Sequence, residues 1–154
     1  MNRVLRCSFV AGVMVSVFSF QSCAQTKNAT QKSTSDAAKV SPTEVSMAAG
    51  KLVYNQNCLV CHQADGGGVP HLNPPLSQTD YVLGEKARLI GVVLNGLDAH
   101  EPINDEVYSN VMPAHNFLTD QQIADVLTFV RNSFENKASA VSVAEVKAER
   151  AKKK

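Results

Sequence analysis

Apolar residues recur at helical spacing in the middle of this chain, and no stretch alternates apolar and polar residues as a half-buried strand would. The clearest helical segment runs from Glu85 to Leu94 and stops at Asn95-Gly96, a typical C-terminal cap. Three capping boxes mark further helix starts, at Ser41-Pro42-Thr43-Glu44, Thr119-Asp120-Gln121-Gln122 and Ser142-Val143-Ala144-Glu145. The pattern therefore predicts an all-α domain.

The stretch from Ala64 to Leu83 contains three consecutive glycines and three prolines, and it shows no sustained period. Such a composition is typical of loops. We therefore expect a long irregular connection between the first and the second periodic segments.

The first 43 residues lack the pattern of a folded domain. Arg3 and Arg6 precede an uncharged run from residue 7 to 20, which is shorter than the ~20 residues of a spanning helix. We interpret residues 1–23 as an export signal, so the rest of the chain is expected in the periplasm. Residues 24–43 are mostly Ser, Thr, Ala, Gln and Lys, as in a flexible linker.

The end of the signal segment has more than one interpretation. Phe20-Gln21-Ser22-Cys23 resembles a bacterial lipobox, which makes Cys23 a candidate for lipidation and the protein a membrane-tethered lipoprotein. Ser22 and Ala24 also suit ordinary signal cleavage, which would remove Cys23. An uncleaved membrane anchor is the third possibility.

Charge divides the chain into three parts. Residues 44–136 carry four basic and eleven acidic side chains, a net charge of −7, whereas residues 1–43 and 137–154 each carry +4. An acidic domain in a chain of net charge +1 is not expected to bind nucleic acid. The basic tail, residues 137–154, has a short helix signal, and it could lie against the acidic domain, bind anionic lipid or a partner, or be solvated. We expect it to be solvated because charged chain ends are usually mobile.

The strongest chemical signal is Cys58-Leu59-Val60-Cys61-His62, a CxxCH sequence, which is the attachment signature of c-type haem. Residues three apart in a helical turn share a face, so both thiols can reach the two vinyl groups on one haem edge. His62, the next residue, can then bind the iron. One covalent haem c is the predicted cofactor.

Other uses of these cysteines are weaker. A structural zinc site normally needs four Cys or His ligands, and Cys58 and Cys61 are the only cysteines of the domain. A thioredoxin-like pair is expected beside a βαβ pattern, which is absent from the sequence. A plain disulfide between the two would leave His62 unexplained.

The sixth iron ligand has several candidates. Met112 lies 50 residues beyond His62, in Val111-Met112-Pro113, and it is the only methionine of the domain apart from one in the first helix. Competing donors are His71, His100 and His115, and an open position is also possible. Met112 could instead fill a gap in the core.

The residues from 50 to 134 resemble a class I c-type cytochrome. The resemblance rests on Gly50 and Tyr54 before CxxCH, then Asn73-Pro74-Pro75-Leu76, then Val111-Met112-Pro113 and the helix 123–130. It implies the class I cytochrome fold for residues 44–136, with helices packed around one haem.

The resemblance also implies contacts. The first and last helices of the domain would cross at Gly50, with Tyr54 packed against Val126 and Phe129. A carbonyl of the Pro74-Pro75 segment would accept the second N–H of His62.

The resemblance also concerns three aromatic residues. Phe134 stands where close relatives often have Trp. Tyr81 and Tyr108 are candidates for hydrogen bonds to haem propionates, or they pack in the core.

A haem held by an imidazole and a thioether has no vacancy for a substrate, so the predicted function is single-electron transfer and not enzyme catalysis. The resemblance points to a redox partner among nitrite reductases, dehydrogenases and terminal oxidases. The alternative is a peroxidase-like or gas-sensing haem protein with a displaceable sixth ligand. Small apolar residues flank the ligands, and they either form a docking patch at the haem edge or are mostly buried against the haem: Leu59, Val60, Val69, Pro70, Pro113 and Ala114.

Overall fold

The structure is a computed structural model, and it describes residues 41–152. The signal segment, Cys23, most of the linker and the last two lysines lie outside the described residues. Described are the helices α1 (Pro42–Asn57), α2 (Leu59–His62), α3 (Asp80–Leu83), α4 (Lys86–Asn95), α5 (Asp120–Arg131) and α6 (Val143–Lys152), with the strands β1 (Pro102–Ile103) and β2 (Glu106–Val107). The helical fold predicted for the domain is confirmed.

All three predicted capping boxes form. At the start of α1, the backbone N–H of Glu44 donates to Ser41 Oγ at 3.2 Å, and Ser41 N–H donates to the Glu44 carboxylate at 2.7 Å. Thr119 and Gln122 repeat this exchange before α5, at 3.2 and 2.9 Å. The Ser142 box before α6 also makes both bonds. These local bonds satisfy donors that a helix start leaves free, which is why the sequence located these helices correctly.

Three short elements were not predicted. Helix α3 lies at the end of the expected loop, where Thr79 caps it by accepting from Val82 N–H at 3.2 Å. Strands β1 and β2 form an antiparallel pair in a region expected to contain no strand. Elements of two to four residues carry too little periodicity to be read from a sequence, and tertiary contacts stabilise them.

The helices α1 and α5 cross at Gly50, as the resemblance implied. A Cβ atom at Gly50 would lie 2.0 Å from the carbonyl oxygen of Asp125, so only glycine allows this approach. Next to the crossing, the Tyr54 ring packs against Phe129 and Phe134, with centroids 5.5 and 5.3 Å away. Tyr54 also donates to the carbonyl of Gln63 at 2.6 Å, which ties α1 to the segment after α2.

The C-terminal segment packs on the domain, so the expectation of a solvated tail was wrong. Val141 and Val146 are buried in the main core, where they contact the side chains of α4 and α5. Thr128 of α5 exchanges two hydrogen bonds with the backbone of Val141, at 3.0 and 3.3 Å. The expectation rested on the charges of the tail. Burial of these two apolar side chains stabilises the packed tail more than the charged residues favour a mobile one.

Within residues 41–152, no helix combines the length and the apolar character needed to cross a membrane.

Candidate functional site

The CxxCH sequence forms the junction between α1 and α2. Cys58 ends α1, donating its N–H to Tyr54 at 2.9 Å, and it begins α2, accepting from His62 N–H at 2.9 Å. The two thiols are free in the structure. Burial, with a smaller effect of the Cys61 thiol, raises the pKa of Cys58 to about 11, whereas the Cys61 side chain is exposed. The helical turn therefore keeps the two sulfurs close while only one of them faces the interior.

The imidazole of His62 is buried and oriented by the backbone. Its Nδ1 lies 3.1 Å from the carbonyl oxygen of Pro74, which is the contact that the resemblance implied. Desolvation lowers the pKa of His62, the Pro74 carbonyl partly opposes this, and nearby His115 lowers it further. The neutral ring that results, with Nδ1 donating to Pro74, has its lone pair on Nε2, the form that binds a metal.

A largely apolar cleft, partly open to solvent, lies beside His62. Helices α4 and α5 supply its apolar walls, including Leu89, Val93, Val126 and Leu127. Seven of the eight residues predicted to bind the cofactor line this cleft: Cys58, His62, Pro74, Pro75, Tyr81, Tyr108 and Met112. Cys61, the eighth, lies outside the lining residues.

Met112 is held beside the cleft by backbone contacts on both sides. It exchanges two hydrogen bonds with Leu97, at 2.9 and 3.0 Å. Gly96 makes this approach possible, because its φ is +82° and a Cβ there would lie 2.5 Å from the Met112 carbonyl oxygen. On the other side of Met112, His115 N–H donates to the carbonyl of Val93 at 2.8 Å. The loop is thus attached to the end of α4.

Of the three competing histidines, only His115 lines the cleft. His71 is exposed and lies 3.4 Å from a Glu106 oxygen, and His100 is also exposed. His115 lines the cleft, and its Nδ1 is buried without a hydrogen-bond partner among the described residues. An orphaned buried nitrogen indicates a missing partner in this cleft.

The two tyrosines contribute hydroxyl groups near the cleft. Tyr108 is buried and donates to a Glu106 oxygen at 3.0 Å; burial, and then this contact, raises its pKa. Tyr81 is half-buried, with the Arg88 guanidinium 4.1 Å from its ring centroid. Both tyrosines line the cleft, and the Tyr108 hydroxyl has Glu106 as its acceptor; a hydrogen bond from either of them to a haem propionate stays a prediction.

Sequence reasoning missed most of the cleft wall and its polar residues. Asp98, Glu101 and Asn110 also line it, and none carries a recognisable motif. The apolar wall residues were visible only as the periodic face of α4 and α5. That periodicity predicts burial but does not show whether a helix or a cofactor covers it.

The donor set of the cleft fits a covalently attached haem. It combines a thiol, a buried neutral imidazole and a thioether with apolar walls, as expected for a ligand pocket. No group of three or more His, Cys, Asp or Glu positioned to hold a metal ion occurs within residues 41–152. The described part of the chain therefore contains no candidate for a structural zinc site of Cys and His ligands.

Known proteins of one family are similar to this chain. The family model described as "Cytochrome c" matches residues 47–134. The cytochrome c subunit of the quinone alcohol dehydrogenase of Gluconacetobacter polyoxogenes is 38% identical over 100 residues, covering 63% of this chain and 21% of that subunit. The cytochrome c subunit of the gluconate 2-dehydrogenase of Pantoea cypripedii is 35% identical over 98 residues, covering 62% and 22%.

A smaller protein is also similar. Cytochrome c-552 of Thermus thermophilus is 33% identical over 94 residues, covering 58% of this chain and 63% of its own length. This chain thus spans about a fifth of the dehydrogenase subunits that it matches and somewhat under two thirds of the small cytochrome.

Proposed function

The chain belongs to the cytochrome c family, and from that membership we propose that Cys58 and Cys61 attach its haem while His62 and Met112 bind the iron. Proteins of this family carry haem c covalently and transfer electrons. The chain is accordingly an electron carrier and not a catalyst of bond chemistry.

The observation that carries the ligand proposal is the convergence of three distant segments on one cleft. Cys58 and His62 come from the α1–α2 junction, and Met112 comes from the loop before α5. The 3.1 Å contact from Pro74 to His62 Nδ1 leaves Nε2 as the coordinating nitrogen. Imidazole and thioether are a ligand pair typical of electron-transfer haems.

The haem supplies the one-electron exchange between ferric and ferrous iron when it is bound. The chain's own residues set the conditions for that exchange. The Pro74 carbonyl fixes the His62 tautomer and makes the imidazole a better donor. Met112, as a thioether, favours the ferrous state and raises the reduction potential. The apolar residues of α4 and α5 exclude water from the cleft.

Substitution Met112→Ala tests the sixth ligand. The ferric wild-type protein should show the weak near-infrared sulfur-to-iron band, and the variant should lose it. The variant should also have a lower reduction potential and bind carbon monoxide when reduced, because its iron gains an open position. Survival of both the band and the potential in the variant would contradict Met112 as ligand.

His115 is the second candidate for the sixth ligand, favoured by its orphaned buried Nδ1. The substitution His115→Ala separates the two cases. If His115 bound the iron, the wild-type protein would lack the sulfur band and His115→Ala would open the iron to carbon monoxide. If Met112 binds, the band persists in His115→Ala.

We propose an exported dehydrogenase as the redox partner, since the similar proteins include cytochrome c subunits of alcohol and gluconate dehydrogenases. Several apolar residues beside the ligands are exposed and suit a docking surface: Leu59, Val60, Pro70, Pro113 and Ala114, with Val69 half-buried. The test mixes the ferric protein with such a dehydrogenase lacking its own cytochrome subunit, together with its substrate, and follows the ferrous absorbance. Oxidation by a nitrite reductase or a terminal oxidase, without reduction by either dehydrogenase, would favour those partners.

We further propose that the protein is exported to the periplasm and tethered by lipid on Cys23. The support is the charged start, the uncharged run and the lipobox-like Phe20-Gln21-Ser22-Cys23. Mass spectrometry of the mature chain measures both attachments, the haem and the lipid. A mature chain that begins after Cys23 would show ordinary cleavage and release from the membrane.

A further inference from the structure

The C-terminal helix ends with an arginine that binds the loop following Met112. The three guanidinium nitrogens of Arg150 each donate one hydrogen bond: Nη1 to the carbonyl of Asn116 at 2.9 Å, Nη2 to that of Leu118 at 2.7 Å, and Nε to Asp120 Oδ1 at 2.6 Å. All three acceptors lie within five residues, directly between Met112 and the first turn of α5. The planar fork of Arg fits such a set, which a lysine could not contact in full.

The rest of α6 holds this arginine in place. Val146, one turn before Arg150, is fully buried in the core. At the other end of the helix, Lys86 of α4 binds Glu145 at 3.0 Å and the carbonyl of Ala140 at 2.6 Å. The guanidinium therefore approaches the loop from a helix that is fixed at its start and at Val146.

The loop has few other attachments on this side. Met112 is bonded to Leu97, and His115 to Val93, so the first part of the loop is fixed to α4. From Asn116 onwards, the exposed Phe117 side chain contributes little burial, at 67% exposure. This second part is attached to the domain by the buried Leu118 side chain, by the Arg150 bonds and by the capping box at Thr119.

We propose that Arg150 is a positioning residue for the sixth iron ligand: through Asn116 and Leu118, the C-terminal helix holds the Met112 loop against the cleft. This proposal rests on the proposed function, since it takes the ligand to be in that loop. It assigns a role in haem ligation to a segment that lies beyond the residues matched by the cytochrome c family model, 47–134. The side chain itself does not line the cleft.

The hydrogen bonds of Arg150 oppose opening of the loop that follows Met112. Each hydrogen bond from a charged donor contributes more than a neutral one, and here three such bonds must break before the segment can move. Without them, the loop should open more often and release the iron–sulfur bond more often. A ligand added from solution then finds the iron open for a larger fraction of time.

The experiment uses the full haem-loaded chain and the substitution Arg150→Ala. Imidazole binding to the ferric protein, followed in the visible spectrum, should become about tenfold faster, the factor expected from losing a charge-assisted bond. The sulfur-to-iron band should also disappear at a lower temperature than in the wild type. Arg150→Lys keeps the charge but not the fork, and it should fall between the two.

Two controls separate positioning from general stability. Ser46→Ala removes the hydrogen bond from α1 to Asp125 of α5, away from the Met112 loop, and Lys147→Ala removes an exposed charge of α6. Each should leave the imidazole rate within about twofold of the wild type at temperatures where the protein is folded. Hydrogen exchange adds a haem-independent measurement, in which the amides of residues 115–118 should lose protection in Arg150→Ala only.

The outcomes are distinguishable. A wild-type protein without the sulfur band overturns the ligand assignment and with it this proposal. A wild-type protein with the band, together with an Arg150→Ala variant that keeps the wild-type imidazole rate, overturns the positioning role alone. Equal acceleration in Arg150→Ala and Ser46→Ala also overturns it, because the effect would then follow overall stability.

Discussion

The crossing of α1 and α5 makes a sharp stability prediction at Gly50. Replacing Gly50 by Ala places a Cβ 2.0 Å from the carbonyl oxygen of Asp125 and 2.6 Å from its carbon. Both are backbone atoms of a helix, so no rotamer change can relieve the overlap, and the helices must separate by about 1 Å or more to reach ordinary contact distance. The crossing also supports the turn that carries the CxxCH residues, since Tyr54 lies on it.

The magnitude combines two opposing effects. Overpacking a close-packed interface costs typically about 1–3 kcal/mol, and occasionally more. Alanine also gains up to about 1 kcal/mol of helix preference over glycine. Because the overlap involves rigid backbone on both sides, we expect the upper part of the range, and a net loss of about 2 kcal/mol in the free energy of unfolding.

Gly91 is a matched control within the same chain. It lies inside α4, and a Cβ there would meet its nearest atom, Asn95 Nδ2, at 4.0 Å. Gly91→Ala should therefore stabilise the protein by about 0.5–1 kcal/mol through helix preference alone.

The assay is guanidinium unfolding of the haem-loaded protein, followed by far-ultraviolet circular dichroism. A difference of about 3 kcal/mol between the two variants corresponds to midpoints roughly 0.7 M apart for a domain of this size. A Gly50→Ala variant with the wild-type midpoint would refute the close-approach argument. Equal losses in Gly50→Ala and Gly91→Ala would attribute the effect to alanine itself and not to the crossing.

Further predictions concern the tail, the core and the charge around the cleft. The backbone N–H of the capping serine is the main cause that lowers the pKa of Glu145 to about 2, so its ionised form stabilises the fold above the ordinary value of 4.5 and this contribution is lost as the pH falls towards 2. Glu145→Gln, which keeps a capping side chain, should flatten the decline of stability between these pH values in an acid titration. Thr128→Val leaves a buried N–H and carbonyl of the following segment without their partner, which should cost about 1–3 kcal/mol, whereas the exposed Thr43→Val should be nearly neutral. Asp98 and Glu101 line the cleft and no Lys or Arg of the described chain does, so a cationic reductant such as hexaammineruthenium(II) should react more slowly as salt rises; an increase in rate would contradict this field.

Sequence reasoning located the helices whose starts are determined by adjacent residues. The boxes at Ser41, Thr119 and Ser142 are complete within four residues, and the Gly96 cap depends on one residue's positive φ. Local chemistry of this kind is visible in a single sequence. Such local signals could not place Arg131, which is buried and donates to the carbonyls of Val82 and Gly84.

The site was predictable to the extent that its residues carry unusual chemistry. Cys58, His62 and Met112 stand out by type and spacing, and the structure places them on one cleft. Among His71, His100 and His115, the sequence offered no basis for choice. Only the three-dimensional position of the loop after Met112 shows that His115 alone lines the cleft.

The packing of the C-terminal segment on the domain could not be predicted from the sequence. Val141 and Val146 were part of the helix signal, but two valines among lysines and glutamates resemble any short amphipathic end. Both valines are buried in one core with side chains of α4 and α5. Helix α4 ends 51 residues before Val146, and α5 ends 15 residues before it. Packing against distant elements is information that periodicity does not contain.

The two proposed iron ligands, His62 and Met112, are held in place by different parts of the fold. His62 lies on a turn fixed by the α1–α5 crossing and by the Pro74 carbonyl, both inside the family domain. Met112 depends on α4 through Leu97 and, by our proposal, on the tail through Arg150. Because these supports share only the central core, loosening the tail should release the thioether side while the imidazole side stays intact. A ligand site is as rigid as the residues that hold it, so by our proposal the reduction potential would depend in part on a helix that contributes no atom to the cleft.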